Sequence, residues 1–156
     1  MPNDCYNSLT VKGKHERLQE FYGKYVSAEN GVEDHFDFDR VYATPQRLLY
    51  CDGPGLLEWS LKYWGTKWNS YDTQITFDYG NLCLTFYTAW DPCIPIVEKL
   101  IEDHPELSFE FYYEEPGNDF SGELKGESGI ITHRLHGECQ SDGNEENWDE
   151  DEEDDE

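Results

Sequence analysis

Three groups of side chains in this sequence have the types that metal binding or acid–base catalysis requires. His133, His136 and Cys139 recur at three-residue spacing and resemble half of a zinc site. A structural zinc needs four ligands, and no second paired cluster accompanies these three. We therefore predict no metal ion and no cofactor.

The second group is an acidic stretch in which alternation places His35, Asp37 and Asp39 on one face of a predicted strand. Carboxylates in a row are oxygen ligands that suit a hard metal ion. No loop with the spacing of a calcium site follows them, however. A solvated strand edge is therefore the preferred interpretation.

The third group is the pair Glu114 and Glu115, which lies just before Pro116-Gly117. Adjacent residues of a strand point to opposite faces, so these carboxyl groups would not converge on one substrate as acid and base. An acidic, turn-rich loop is the preferred interpretation. The sequence also lacks a nucleophile elbow, a metalloprotease helix and a phosphate-binding loop. We predict that the protein is not an enzyme.

The spacing of apolar residues predicts the elements that position these groups. In the first half we expect a strand around residues 9–11, a helix over 14–26, a strand near 36–42 and a short helix over 56–64. A hairpin of strands 75–79 and 82–87 follows, with its turn at Gly80-Asn81. We then expect a helix that Asp91 caps and that runs to about His104, a strand over 107–113, and a pair of strands within 120–135.

Strands that alternate between apolar and polar residues imply a sheet with one face in water. The order of the elements predicts an α+β fold, a ferredoxin-like sandwich whose mostly antiparallel sheet carries helices on one face. Residues 1–136 form a single domain in this interpretation. Residues 137–156 are expected to be a disordered acidic tail.

Charge restricts the kind of partner. The formal net charge is −24, and residues 138–156 hold twelve Asp and Glu without a Lys or Arg. Residues 1–137 still contain 23 Asp and Glu against 11 Lys and Arg. A chain without a basic patch does not bind nucleic acid or anionic membranes directly. It is suited to basic protein surfaces instead.

The compartment is predicted from cysteine usage and hydropathy. The five cysteines form no CxxC pair, and no apolar run resembles a signal peptide or approaches a membrane span. We therefore expect free thiols and a reducing cytoplasm, which for this chain would be that of a host cell.

Several ordered blocks resemble a known family. They are Asn3 to Gly13, Phe36 to Asp39 with Thr44-Pro45, Trp64 to Asn69, Thr88 to Pro92, His104 to Phe109, and Tyr113 to Gly122. Together they resemble the Api92-like or YubB-like proteins of phages and plasmids, whose function is uncharacterised. This chain departs from the pattern at Asp4, where the family usually has Trp, and in its acidic tail. The resemblance implies a mobile-element origin and a ferredoxin-like later half. It implies no catalytic residues.

The aromatic segment from Trp59 to Trp68 has two open interpretations. Trp and Tyr provide large contact areas with a polar tip, so Trp64, Lys67 and Trp68 could anchor a partner. The same rings could pack as a lid on the sheet. A small-ligand or nucleotide-binding module that uses this region is our alternative hypothesis of function.

The acidic body supports the first hypothesis, a phage accessory protein that binds and inhibits a basic, nucleic-acid-handling host defence protein. Carboxylates at every second strand residue would lie about 6.6–6.8 Å apart, near the phosphate spacing of one nucleic-acid strand, so DNA mimicry is possible. A solubility role for the acidic residues is the alternative. The predicted partner-binding residues are Trp64, Lys67, Trp68, Asp37, Asp39, Asp72, Asp78, Glu110, Glu114, Glu115 and Asp119.

Overall fold

The computed structural model describes residues 3–27, 35–49, 54–78 and 80–138. The elements are β1 (Asp4–Lys12), α1 (His15–Tyr25), β2 (Val26–Ser27), β3 (His35–Phe36), a 3-10 turn (Phe38–Arg40), α2 (Gln46–Leu49), α3 (Pro54–Tyr63), β4 (Tyr71–Asp78), β5 (Asn81–Ala89), α4 (Ile94–Asp103), β6 (Ser108–Glu115), β7 (Phe120–Glu127) and β8 (Ile130–Glu138).

Six strands form one antiparallel sheet in the order β4-β5-β1-β6-β7-β8. The path β1-α1-β4-β5-α4-β6 places β1 between β5 and β6, which is the ferredoxin-like arrangement. The predicted fold class is therefore confirmed. β7 and β8 extend the sheet beyond β6, and β2 pairs with β3 in a separate ribbon.

Alternation divides the sheet into a core face and an open face. In β1, Cys5, Asn7, Leu9 and Val11 are buried, whereas the residues between them are partly exposed. The same alternation runs along β5 and β6. The expected sheet with one face in water is confirmed, and we call that side the open face.

Helices α1 and α4 cover the core face. Leu18 and Phe21 of α1 and Val97 and Leu100 of α4 are buried against the strands. The Phe21 ring lies 5.9 Å from the ring of Phe109 in β6. Burial of a large apolar side chain stabilises the fold by about 1.5–3 kcal/mol, so these contacts hold the two layers together. Within the ranges given above, no helix is long and apolar enough to cross a membrane.

The segment after α1 differs from the prediction. The expected strand near 36–42 is limited to His35–Phe36, and a 3-10 turn follows at Phe38–Arg40. Asp37 ends the strand because its carboxylate accepts a hydrogen bond from the Asp39 backbone N–H at 3.1 Å. Such a bond favours a turn over continued strand pairing.

The start of α4 also differs from the prediction. The helix begins at Ile94 with Cys93 in the N-cap position, two residues after the expected cap Asp91. Pro95 still lies in the first turn, where a missing N–H group is tolerated. Pro92 would suit a helix capped by Asp91, and Pro95 suits a helix capped by Cys93. The packing of Cys93 in the core favours the later start.

The predicted pair of strands within 120–135 is present as the hairpin of β7 and β8. Ser128 and Gly129 both have positive φ, 56° and 78°, as a tight hairpin turn requires. β8 continues through Glu138, two residues beyond the expected domain boundary. The remainder of the predicted tail lies outside the described residues.

Substitution of Gly122 tests the close packing of this extension. A Cβ atom at Gly122 would lie 2.2 Å from the Tyr113 hydroxyl and 2.5 Å from the Leu135 carbonyl oxygen. We expect Gly122→Ala to lower the free energy of unfolding by about 1–3 kcal/mol in urea denaturation, because the strand backbone cannot yield.

Gly137→Ala is the matched control on the paired strand, since nothing lies within 4 Å of its added Cβ. Its effect should stay within about 0.5 kcal/mol. Equal effects of the two substitutions would contradict the pairing of β7 with β8.

Candidate functional site

The open face is rich in carboxylates and tyrosines. It carries seven carboxylates but only two lysines, Lys12 and Lys125. The carboxylates are Asp4, Asp72, Asp78, Glu110, Glu114, Glu123 and Glu127. Lys12 is held by Glu110 at 3.0 Å, which leaves the face strongly negative.

The other nine Lys and Arg side chains belong to elements away from this face. They lie on the helices, on the loops beside them, or on the helix-facing side of β8, where Arg134 contacts Glu98 of α4 at 2.7 Å. Nine of the eleven Lys and Arg side chains are therefore segregated from the open face. Segregation of this kind produces a directed negative field rather than a diffuse one.

A pocket of about 550 Å³ lies on the open face where β4, β5 and β1 adjoin. Its lining consists of two tyrosines, one carboxylate, four other polar residues, a thiol and a phenylalanine. These are, in that order, Tyr6 and Tyr87, Asp72, Thr73, Gln74, Thr76 and Thr85, Cys83, and Phe86. We call this the tyrosine pocket.

The rings beside the tyrosine pocket support one another. Tyr6 meets Tyr87 edge to face at 5.8 Å, and Tyr71 stacks on Tyr87 at 6.2 Å. The Tyr71 hydroxyl donates a hydrogen bond to the Asp4 carboxylate. Burial, together with this bond and the Asp4 charge, raises the pKa of Tyr71 far above the ordinary tyrosine value. Tyr71 is therefore neutral at any physiological pH and acts as a fixed support.

Four of the predicted partner-binding residues lie on the open face, namely Asp72, Asp78, Glu110 and Glu114. Asp37 and Asp39 do not. They belong to the helical layer, where Asp37 accepts from Asn69 Nδ2 at 2.9 Å and Asp39 accepts from the Thr44 hydroxyl at 2.7 Å. Since the predicted strand is replaced by a turn, His35, Asp37 and Asp39 do not form a common strand face.

Glu114 and Glu115 point to opposite faces, as the alternation predicted. Both belong to β6 rather than to a loop, which corrects the sequence interpretation. Glu115 is 1% exposed and accepts a hydrogen bond from the Asn118 backbone N–H. It organises the turn before β7 and does not offer a surface for a partner. Asp119 is exposed in that turn with φ of 58°.

The aromatic segment divides into a lid and an exposed edge. Trp64 is 6% exposed and donates its indole N–H to the Tyr42 carbonyl at 2.9 Å, so it belongs to the lid. Lys67 and Trp68 are exposed, with the Lys67 ammonium 4.9 Å from the Trp68 ring centre. The lid interpretation therefore holds for Trp64, and the anchor interpretation stays a prediction for the exposed Lys67 and Trp68.

Exposed apolar side chains of α3 lie beside Trp90, which follows the end of β5. Leu57, Leu61 and Trp90 are 39–44% exposed and line, with Lys67 and Asn118, a second pocket of about 390 Å³. We call this the end patch. Trp90 has φ of 71°, which is uncommon for a bulky residue. Its backbone N–H donates to the Asn3 carbonyl at 2.9 Å, which helps hold it in that conformation.

The predicted half zinc site is not assembled. His133 lies on the open face near Glu123, whereas His136 faces the other way and meets the Tyr113 hydroxyl at 2.6 Å. Cys139 lies outside the described residues. No group of three metal-binding side chains occurs in the described part of the chain.

Two of the described thiols, Cys5 and Cys93, are not activated. Cys5 and Cys93 are fully buried, and burial raises the pKa of both, that of Cys5 to about 12. A buried thiol of this kind does not act as a nucleophile at neutral pH.

Sequence reasoning missed Asp4, Tyr6, Tyr87 and Trp90. The alternation from Asp4 to Lys12 was the available signal for the first two, because it continues the strand that was assigned only to residues 9–11. Nothing in the local sequence shows that Tyr6 pairs with Tyr87, since the two are brought together by strand register alone.

The fold and the open face define a ferredoxin-like α+β protein with an acidic, tyrosine-bearing sheet surface. Residues 63–155 match the model of the ferredoxin-like domain in Api92-like protein, and the chain belongs to this family. The crystal structure of a protein Api92 from Yersinia pseudotuberculosis has the same fold, with a TM-score of 0.66 at 10% identity over 88% of this chain and 98% of that one. No curated protein sequence matches the chain.

The alkaline titration of Tyr71 tests the support beside the pocket. We expect its pKa to fall in Asp4→Asn, because the substitution removes the charge that opposes the tyrosinate. Burial, the largest cause, remains, so the pKa should stay above the usual value. The 13C chemical shift of the Tyr71 Cζ atom measures this, with Tyr71→Phe to assign the signal. An unchanged titration in Asp4→Asn would contradict the Tyr71–Asp4 contact.

Proposed function

We propose that this chain is a non-enzymatic accessory protein of a phage or related mobile element. It binds a basic host protein that handles nucleic acid, such as a defence factor, and blocks it. The observation that carries this proposal is the composition of the open face, seven carboxylates against two lysines, with the remaining cations elsewhere.

The physical basis is long-range attraction followed by contact. A surface whose charges have one sign accelerates the encounter with a surface of the opposite charge, and it disfavours partners whose surface has the same charge. A protein that holds nucleic acid carries such a basic surface. When the open face covers that surface, the nucleic acid is excluded by competition. The host cytoplasm is where the two proteins would meet.

DNA mimicry is the narrower form of the proposal. On the open face, carboxylates recur at every fourth strand residue, as in Glu110 and Glu114 of β6 or Glu123 and Glu127 of β7. Four residues of a strand span about 13 Å, twice the phosphate repeat. Mimicry would therefore use charges on neighbouring strands, such as Glu114 and Glu123, rather than a row along one strand.

The acidic segment after Glu138 has a secondary role in this proposal. It holds eleven of the acidic residues and follows the end of β8 in the sequence. We assign definite recognition to the open face, because a folded sheet fixes the positions of its charges. The segment would add reach and rate of association.

A charge-matched pair of variants tests the role of the open face. We expect Asp78→Asn, Glu114→Gln and Glu123→Gln together to weaken capture of basic host proteins by about tenfold, which corresponds to about 1.4 kcal/mol. The measurement is quantitative mass spectrometry of proteins retained from bacterial lysate at low and at high salt.

The control removes the same charge from the helical side through Glu16→Gln, Glu58→Gln and Glu102→Gln. It should retain capture close to that of the unaltered chain. A truncation after Glu138 separates the contribution of the remaining segment. Equal losses in the two triple variants, or capture that does not weaken with salt, would refute recognition by the open face.

The end patch favours a second candidate, a small-ligand or nucleotide-binding module. Its 390 Å³ pocket combines an exposed indole with the Lys67 ammonium, a pairing that suits an aromatic base with a phosphate. This is the alternative predicted from the segment Trp59 to Trp68, with Lys67 of that segment and Trp90 from outside it in the pocket lining.

Intrinsic fluorescence tests this candidate. Titration with a panel of nucleotides should quench tryptophan emission by a saturable fraction, and Trp90→Phe should reduce that fraction if the ligand stacks on the indole. Trp59→Phe, a half-buried lid residue, is the control. A flat response in the unaltered chain removes the candidate.

A further inference from the structure

We infer that the tyrosine pocket receives a single arginine side chain of the basic partner and so anchors the complex. The inference rests on the proposed function and adds to it a definite position and a definite chemistry. It assigns the chief contact to one corner of the open face, where β4, β5 and β1 adjoin, rather than to the whole surface.

Aromatic walls provide the first attraction. Tyr6 and Tyr87 line the pocket and meet edge to face, and Tyr71 stacks against Tyr87 from outside the pocket. A guanidinium group over such a ring is attracted by the negative π face, and the contact strengthens as water is excluded. Asp4 holds Tyr71 through the hydrogen bond to its hydroxyl, and Tyr71 in turn supports the Tyr87 ring that forms the pocket wall.

A carboxylate provides the second attraction. Asp72 lines the pocket, is exposed, and forms no ion pair with a Lys or Arg of the described residues. It lies in the bulge between Tyr71 and Gln74, with φ of 51°. The backbone there departs from regular strand geometry, and the Asp72 side chain reaches the same pocket as residues of β5 and β1.

The rest of the lining matches a planar group with several donors. Gln74, Thr76 and Thr85 present oxygen atoms that can accept hydrogen bonds, and no cation lines the pocket. Arginine offers five N–H donors in one plane and stacks on aromatic rings, whereas the lysine ammonium is compact and strongly hydrated. The pocket therefore suits arginine better than lysine.

Two peptides of equal charge separate this inference from general electrostatics. We expect the unaltered chain to bind hexa-arginine more tightly than hexa-lysine by about threefold or more, as a cation–π contact allows. Fluorescence anisotropy of labelled peptides at several salt concentrations measures both affinities. If neither peptide binds, the proposed function fails with the inference. If both bind equally and with the same salt dependence, only the inference is overturned.

Single substitutions test whether the preference for arginine over lysine arises in the tyrosine pocket. Tyr87→Leu and Asp72→Asn should abolish the preference for arginine, while Tyr87→Phe, which keeps the aromatic face, should retain it. Tyr112→Leu and Asp78→Asn make the same changes on the open face outside the pocket lining and should also retain it. Circular dichroism of each variant checks that the sheet is intact. Loss of the preference in the controls as well would overturn the assignment.

Cys83 supplies an independent readout that needs no substitution. It is the half-buried thiol of the pocket lining, whereas Cys5 and Cys93 are fully buried. Saturating hexa-arginine should slow alkylation of Cys83 by iodoacetamide, as followed by peptide mass mapping, more than hexa-lysine does at equal saturation. An unchanged rate of alkylation at Cys83 under saturation would overturn occupation of the pocket.

Discussion

The pairing of β1 between β5 and β6 is the constraint on which the rest of the structure depends. Nine consecutive residues of β1 pair with β5, and seven of them also pair with β6. This register sends Leu9 and Val11 into the core and leaves Tyr6 beside Tyr87 on the open face. A shift by one residue would exchange the two faces, so burial of the apolar set also fixes the position of the proposed binding residues.

The division into two faces connects stability with function. Helices α1 and α4 need an apolar sheet surface to pack on, and they occupy one face only. The other face is free to carry charge, because its side chains remain in contact with water. Ion pairs such as Lys12 with Glu110 contribute little to stability at the surface. The excess carboxylates there repel one another, which is a cost that a binding role to a basic surface would explain.

Local patterns in the sequence were sufficient to predict much of the fold. The alternation on either side of Gly80-Asn81 predicted the hairpin of β4 and β5, and the spacing of Leu18, Phe21 and Tyr25 predicted α1. The site was harder to predict because it depends on contacts between distant residues. Tyr71 and Asp4 are 67 positions apart, and only strand order brings them together. Asp37 was misplaced since a side chain that caps a turn overrode the strand pattern.

We assign the proposed recognition of basic partners to the open face, and not to the helical side or the acidic segment. Amide chemical shifts of the 15N-labelled full chain, followed during titration with hexa-arginine, test it most directly. We expect the largest changes in β4, β5, β1 and β6, and the strongest of them around Tyr6, Asp72 and Tyr87. Changes confined to α1 and α4, or to residues 139–156, would contradict it.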